Sequence, residues 1–209
     1  MMSTTTDRFE LLHALKVKGL ATDDFLIAMT GLTARDVSSL VGVLTGEGLV
    51  VRRETPRMSG TMITAEGKSA YEELGRDSPL APSARGRVEE VYAAFLPVNS
   101  AFKGVCAAWQ LDAAGNPNDH SDPDYDAAVI ADLGAIHERV IAVLSPAGEA
   151  VARLGRYPAR LAAALSRIQD GDRAAFARPM SDSYHDVWME LHQDLLLTAQ
   201  RERDEADEG

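Results

Sequence analysis

Residues 32–54 read LTARDVSSLVGVLTGEGLVVRRE, and this stretch decides the fold of the first part of the chain. Thr33 is a good N-cap, and Asp36 follows three positions later, which is close to the spacing of a capping box. Apolar side chains then recur at helical spacing, at Val37, Leu40, Val41 and Leu44. The pattern predicts an amphipathic helix that ends at Gly48, and the GLVVRRE that follows is typical of a strand.

The segments on either side extend this pattern. Upstream, RFELLHALKVKG and ATDDFLIAMTG each have helical spacing and end in glycine, and the short Met29–Thr33 turn makes a helix-turn-helix. Downstream, TPRMSG is a turn, TMIT is a short strand and AEGKSAYEEL is helical again. The full order of helix, helix, helix, strand, turn, strand and helix is that of a winged helix.

The same residues resemble the MarR-like group of bacterial winged-helix regulators. The resemblance is carried by LTARDVSSLVGVLTGEGLVVRR and by ITAEGKSAY, in which Ile63, Thr64 and Gly67 occupy the places of the group's L-T-x-x-G phrase. It covers about residues 7–75. It implies that the first phrase is a recognition helix that runs into a wing, and that the protein is a DNA-binding transcriptional regulator.

Three arginines cluster around the predicted wing of a chain whose net charge is −11. A wing lies against the DNA backbone, where arginine reaches phosphates, and the first half of a recognition helix meets base edges. The predicted DNA contacts are therefore Thr33, Arg35, Ser38, Ser39, Arg52, Arg53 and Arg57. The alternative is that the arginines only solvate the edge of a hairpin and discourage pairing with other strands.

The charge is divided unevenly along the chain. Residues 1–76 have nine basic and ten acidic side chains, a net of −1, whereas residues 77–209 have twelve and twenty-two, a net of −10. The Pro-, Ser- and Gly-rich segment GRDSPLAPSARG marks a boundary. We expect a winged-helix domain over 1–76, a linker over 77–86, a helical domain over 87–200 and a disordered acidic tail over 201–209. The acidic part should repel nucleic acid.

The helical domain is predicted to be an antiparallel bundle of four or five helices, because no segment after residue 65 resembles a strand. We expect one helix to begin with Ser145 as its cap and Pro146 at its first position. In the last helix, Trp188 belongs to the apolar face. We expect Asp186, Glu190 and Asp194 to lie on the opposite, solvated side.

Aromatic and polar side chains in the second part suggest a ligand pocket between helices. The candidate residues are Trp109, His120, Asp122, His185, Trp188 and His192. The competing interpretation is that the tryptophans pack in the core and that NDHSDPDYD is a turn whose Asp122 or Asp124 caps the next helix. Seven positions separate His185 from His192, about 10 Å along a helix, so we expect no metal site.

Several classes of function have no support in the sequence. Cys106 is the only cysteine, so there is no intramolecular disulfide, and a lone cysteine is typical of a reducing cytoplasm. We see no apolar run of about 20 residues, and therefore expect no membrane contact. Nucleophile-elbow, P-loop, dinucleotide and zincin motifs are missing. We expect a protein that is not an enzyme and needs no cofactor.

The strings AAWQL, NDHSDPDYDAAV and SDSYHDVWMELHQDLL resemble an uncharacterised helical tail of actinobacterial winged-helix proteins. The sequence leads to three hypotheses about function. In the first, the protein is a cytoplasmic transcriptional regulator, which binds double-stranded DNA as a homodimer and whose helical domain senses a small molecule or dimerises. In the second hypothesis, the protein is a non-enzymatic adaptor whose winged helix docks a protein partner. In the third hypothesis, the protein is an enzyme whose site is built around His185, His192 and Asp122.

Overall fold

The computed structural model describes residues 4–54 and 59–201. The chain is mainly helical, with a small three-stranded antiparallel sheet, and divides into two compact units, Met1–Ala81 and Pro82–Gly209. Arg57 and residues 202–209 of the predicted tail lie outside the described residues.

The first unit contains four helices and three strands among its described residues. They are α1 Thr5–Lys18, β1 Leu20–Ala21, α2 Asp23–Thr30, α3 Ala34–Gly46, β2 Val50–Glu54, β3 Ser59–Ile63 and α4 Ala65–Asp77. The sheet order is β1-β3-β2, with both pairs antiparallel. β1 was not predicted, because two residues are too few to show an alternating pattern and the strand exists only through its pairing with β3.

Threonine caps fix the starts of the helices around the turn. Thr33 caps α3 as predicted, because its Oγ1 accepts the Asp36 N–H at 3.2 Å. Its hydroxyl also donates to the Asp36 carboxylate at 2.7 Å, so Asp36 is hydrogen-bonded to the side chain of the capping residue. Thr22 caps α2 in the same way by accepting from the Phe25 N–H. Each cap satisfies a helix N–H that would otherwise have no partner inside the helix.

The turn between α2 and α3 brings two buried faces together. It consists of three residues, 31–33, and the two helices are bent by 108° relative to each other. The predicted stripe of α3 is buried, with Val37, Leu40, Val41 and Leu44 each at most 2% exposed. Phe25, Leu26 and Met29 of α2 are buried as well. Burial of these apolar faces is what holds the turn at this angle.

A close approach joins the start of α4 to the start of β2. Thr64 caps α4 and its hydroxyl donates to the carbonyl of Gly48 at 2.8 Å or Leu49 at 3.0 Å. A Cβ added to Gly67 would lie 2.0 Å from the Leu49 carbonyl oxygen. Only glycine fits at this position, which gives the T-x-x-G phrase a packing reason.

Over its described residues, 82–201, the second unit contains four long helices and two short helical segments. They are α5 Pro82–Gln110, α6 Pro123–Ala150, a 3-10 turn Leu154–Arg156, α7 Tyr157–Gln169, α8 Ala174–Ala177 and α9 Tyr184–Ala199. α5 packs on α6 and α9, and α7 packs on α6, α8 and α9. Their facing side chains form one apolar core that includes Phe95, Leu133, Leu161 and Leu191, all fully buried.

Two helix boundaries differ from the prediction. α5 begins at Pro82, inside the predicted linker 77–86, because proline is well suited to a first helical position. The predicted helix start at Ser145 and Pro146 is wrong, since α6 continues through both residues to Ala150. Pro146 removes one helical hydrogen bond, but Leu144 and Ala147 on either side are fully buried. Tertiary packing outweighs the proline there.

The expectation that Glu190 and Asp194 are solvated is also wrong. Asp194 is 0% and Glu190 4% exposed. The Arg153 Nε donates to the Asp194 Oδ1 at 3.0 Å, and the Tyr157 hydroxyl donates to its Oδ2 at 3.0 Å. Arg160 pairs with Glu190. A buried carboxylate is tolerated only with such partners, which stand about 30 to 40 positions earlier in the chain.

One described helix has the length and composition of a membrane span. α5 has a mean hydropathy of 1.2 over its most apolar 18 residues, 39% of which are buried inside the unit. The pair α2 and α3 satisfies the same criteria only when its two bent helices are taken together. The expectation that no stretch is long and apolar enough is therefore wrong for α5.

Candidate functional site

One face of α3 is open to solvent along the predicted contact positions. Thr33, Arg35, Ser38 and Ser39 are all exposed, whereas the stripe between them is buried. The Arg35 side chain has no hydrogen bond or ion pair with any other described residue. Further along the helix the exposed residues are small or apolar, and Val43 is 47% exposed. The cationic and hydroxyl groups are thus concentrated in the first half of α3.

The arginines of β2 occupy two different environments. Arg52 and Arg53 stand opposite Thr61 and Gly60 of β3, and both side chains are exposed. Arg52 forms an ion pair with Asp23 at the start of α2, at 3.0 Å. Neighbouring strand residues point to opposite faces, so Arg53 points away from this pair. Among the described residues Arg53 has no ion-pair partner.

In the second unit the structure brings two predicted site residues together. The Trp109 indole lies 4.4 Å from the His120 ring, centroid to centroid, and 4.3 Å from the Phe176 ring, with which it stacks at 2°. His120 is in the loop between α5 and α6, with φ of 60°. Phe176 belongs to α8. The sequence does not indicate its contact with Trp109, because 67 positions separate the two residues.

A buried carboxylate organises this part of the unit. Asp126 is 5% exposed and accepts hydrogen bonds from the Asn118 Nδ2 at 3.1 Å and the His120 Nδ1 at 3.0 Å. Burial opposes its ionisation, but these hydrogen bonds and the charges of His120 and Arg173 outweigh it and hold the pKa of Asp126 below its usual value. Asn118 and Asp126 are the first and last residues of the NDHSDPDYD stretch. The sequence predicts ligand residues in this stretch at His120 and Asp122, and at neither of its ends.

Asp122 has a structural role. It caps α6 by accepting from the Asp124 and Tyr125 N–H groups at 3.0 and 3.1 Å, and its side chain is exposed. This is the capping role that the sequence offered as the alternative to ligand binding.

A cleft of about 440 Å³ opens beside Trp109 and Asp126. Its lining comes from α5, α6, α7 and the loop after α7, and includes Trp109, Asp126, Ala127, Ile130, Ile168 and Arg173. The Arg173 guanidinium lies 3.5 Å from the Asp126 carboxylate and its side chain is 56% exposed. The cleft therefore has mainly apolar walls with an ion pair at one side.

The other predicted ligand residues lie in a separate aromatic cluster. Trp188 is fully buried, stacks on Phe102 at 4.1 Å, and donates its indole N–H to the Asn99 Oδ1 at 2.8 Å. His192 is 3% exposed beside Phe95, and half-buried His185 lies 6.2 Å from the Phe102 ring. Their neighbours are those expected of core residues. No ring contact joins this cluster to Trp109 in the described part of the chain.

Metal binding and thiol chemistry find little support in the described residues. Residues 4–54 and 59–201 contain no group of three or more His, Cys, Asp or Glu side chains that could hold a metal ion. Burial raises the pKa of the Cys106 thiol to about 12, so the nucleophilic thiolate is scarce at neutral pH.

Comparison with known proteins finds no match, since no family model fits the chain and no curated protein or solved structure is significantly similar to it.

Proposed function

We propose that the protein is a cytoplasmic DNA-binding transcriptional regulator, with a winged helix in its first unit and a helical bundle in its second. The observation that carries the proposal is the geometry of α2 and α3. They are joined by a three-residue turn and bent by 108°, and helix-turn-helix pairs meet at about 90–120°. The second helix of such a pair enters the major groove with its first residues against the bases.

The exposed groups on this unit support the same function. Arg35, Ser38 and Ser39 are open to solvent in the first half of α3, and Arg52 and Arg53 are exposed on the strand that follows. Arginine binds phosphates as a charged fork, and serine hydroxyls bond to phosphates or bases. A homodimer with two α3 helices about 34 Å apart would read a palindromic site.

The proposal is tested by the salt dependence of DNA binding. We expect the full chain to bind duplex DNA in a fluorescence anisotropy assay, with an affinity that falls steeply between 50 and 200 mM salt. The double variant Arg35→Ala, Arg53→Ala should bind more weakly and reduce the slope of log K against log salt by about 2. The matched control is Arg139→Ala, Arg178→Ala, which removes two exposed arginines from the second unit.

Two results would contradict the proposal. The chain could fail to bind duplex DNA at 50 mM salt, or both double variants could change affinity and slope equally.

Docking of a protein partner is the second candidate, and the 47% exposure of Val43 on α3 favours it. In that case Val43→Asp should abolish partner binding, whereas the DNA assay above should show no specific loss from the Arg35 and Arg53 changes.

A further inference from the structure

The cleft beside Trp109 has the size of a small-molecule site. Its volume of about 440 Å³ falls within the range of about 300–1,000 Å³ typical of ligand pockets. Trp109, Ile130 and Ile168 come from three different helices and give it apolar walls. It lies outside the part of the chain that resembles MarR-like regulators, so that resemblance assigns it no ligand.

The charge beside these walls is provided by Arg173. Its contact with Asp126, at 3.5 Å, is longer than a good hydrogen bond, and the described residues supply no other partner for the guanidinium. A guanidinium has five N–H donors in a planar fork, and more than half of this side chain is exposed. Arg173 therefore retains donors for a second anion.

The carboxylate of Asp126 is already occupied. Its Oδ1 accepts from Asn118 and His120, and its Oδ2 lies within ion-pair distance of Arg173. A cationic ligand would have to displace these partners from a side chain that is only 5% exposed. An anionic ligand needs no such displacement, because it meets the open side of Arg173.

We propose that this cleft binds a small carboxylate with an apolar body, whose carboxylate pairs with Arg173 and whose body packs against Trp109 and Ile130. Asp126, held by Asn118 and His120, positions the guanidinium at the edge of the cleft. An arginine and a carboxylate form two parallel hydrogen bonds in the best geometry, which fixes the orientation of the ligand as well as its charge. This binding does not rest on the proposed function.

The experiment is a calorimetric titration of the full chain with three probes that share one ring system. They are 1-naphthoate, the neutral 1-naphthalenemethanol and the cationic 1-naphthylmethylammonium. We expect 1-naphthoate to bind at least about tenfold more tightly than either of the others, because a hydrogen bond to a charged group contributes about 1.5–3 kcal/mol, and 1.4 kcal/mol is tenfold.

Two variants and one control variant test whether the probe binds in this cleft. Arg173→Gln should weaken 1-naphthoate about tenfold or more and lower the melting temperature only slightly, since Asn118 and His120 still hold the Asp126 carboxylate after the arginine is removed. Arg178→Gln, an exposed arginine that does not line the cleft, is the control and should bind as the wild type does. Ala127→Phe, at an exposed position that lines the cleft, should also weaken binding by filling it.

Equal binding of the three probes, no binding of 1-naphthoate, or full binding by Arg173→Gln would overturn the proposal. The DNA assay separates the two proposals. A chain that binds 1-naphthoate through Arg173 and does not bind DNA would refute the proposed function and retain the site.

Discussion

At the scale of single residues, the ion pair between Arg52 and Asp23 places an acidic group on the proposed DNA surface. The two side chains meet at 3.0 Å, and each is 42% exposed. A DNA phosphate would compete with Asp23 for the same guanidinium. If the first unit binds DNA as proposed, Asp23 should lower the affinity through its contact with Arg52, in addition to the repulsion that any nearby acid exerts.

Replacing Asp23 should strengthen DNA binding. We expect Asp23→Asn to raise the affinity for DNA about two- to fivefold more than Asp24→Asn does. An exposed ion pair contributes up to about 1 kcal/mol, and in the variant a phosphate no longer has to break this pair to reach Arg52. Asp24 is the matched control, since it is an exposed neighbour on the same helix turn and has no ion pair with other described residues. Anisotropy titrations at a fixed salt concentration measure the DNA affinity of both variants. Equal affinities would show that the pair does not restrain Arg52.

The two tryptophans show how far a residue's role can be inferred from sequence. The sequence predicts that both line one ligand pocket. Trp188 is instead fully buried, with its N–H on Asn99, 89 positions earlier, whereas Trp109 contacts His120 and borders a cleft. Helical spacing correctly indicates which face of a helix is apolar. It does not reveal which distant side chain meets that face.

At the scale of elements, Gly67 links α4 to the strand that carries the arginines. Gly67→Ala would place a Cβ 2.0 Å from the Leu49 carbonyl oxygen, which is backbone and must move. We expect a loss of about 1–3 kcal/mol in the free energy of unfolding, as for other overpacking changes. Thermal unfolding followed by circular dichroism measures it.

Gly42→Ala is the control in the same unit. Its Cβ would meet nothing within 4 Å, so alanine should stabilise α3 by about 0.5–1 kcal/mol. A Gly67→Ala protein as stable as the Gly42→Ala protein would contradict this packing role.

Elements set by local chemistry could be predicted, and those set by distant partners could not. Thr33 caps α3 as expected, and Thr22 caps α2 in the same way, because a cap is a bond between residues three positions apart. β1 depends on β3, some 40 positions away. Glu190 and Asp194 are buried because Arg160, Arg153 and Tyr157 reach them from another helix and the turn before it. No spacing within α9 indicates those partners.

At the scale of the whole molecule, the uneven charge limits where DNA can bind. The excess acid lies in residues 77–209, with a net charge of −10, and the nearly neutral residues 1–76 contain the exposed arginines of α3 and β2. Anionic surfaces repel phosphates, so any contact with DNA should involve the first unit. The sequence alone predicts this division, because it needs only the order of the charges along the chain.

The central claim, that the exposed face of α3 lies against DNA, is tested most directly by crosslinking from that face. Ser39→Cys is labelled with a photoactivatable maleimide and irradiated in the presence of duplex DNA. The native Cys106 should stay unlabelled, because it is half-buried and its pKa is raised to about 12. Ser100→Cys, at an exposed position on α5, is the control. We expect a DNA adduct from position 39 and none from position 100; an adduct from position 100 alone, or none from either while the protein binds DNA, would contradict the claim.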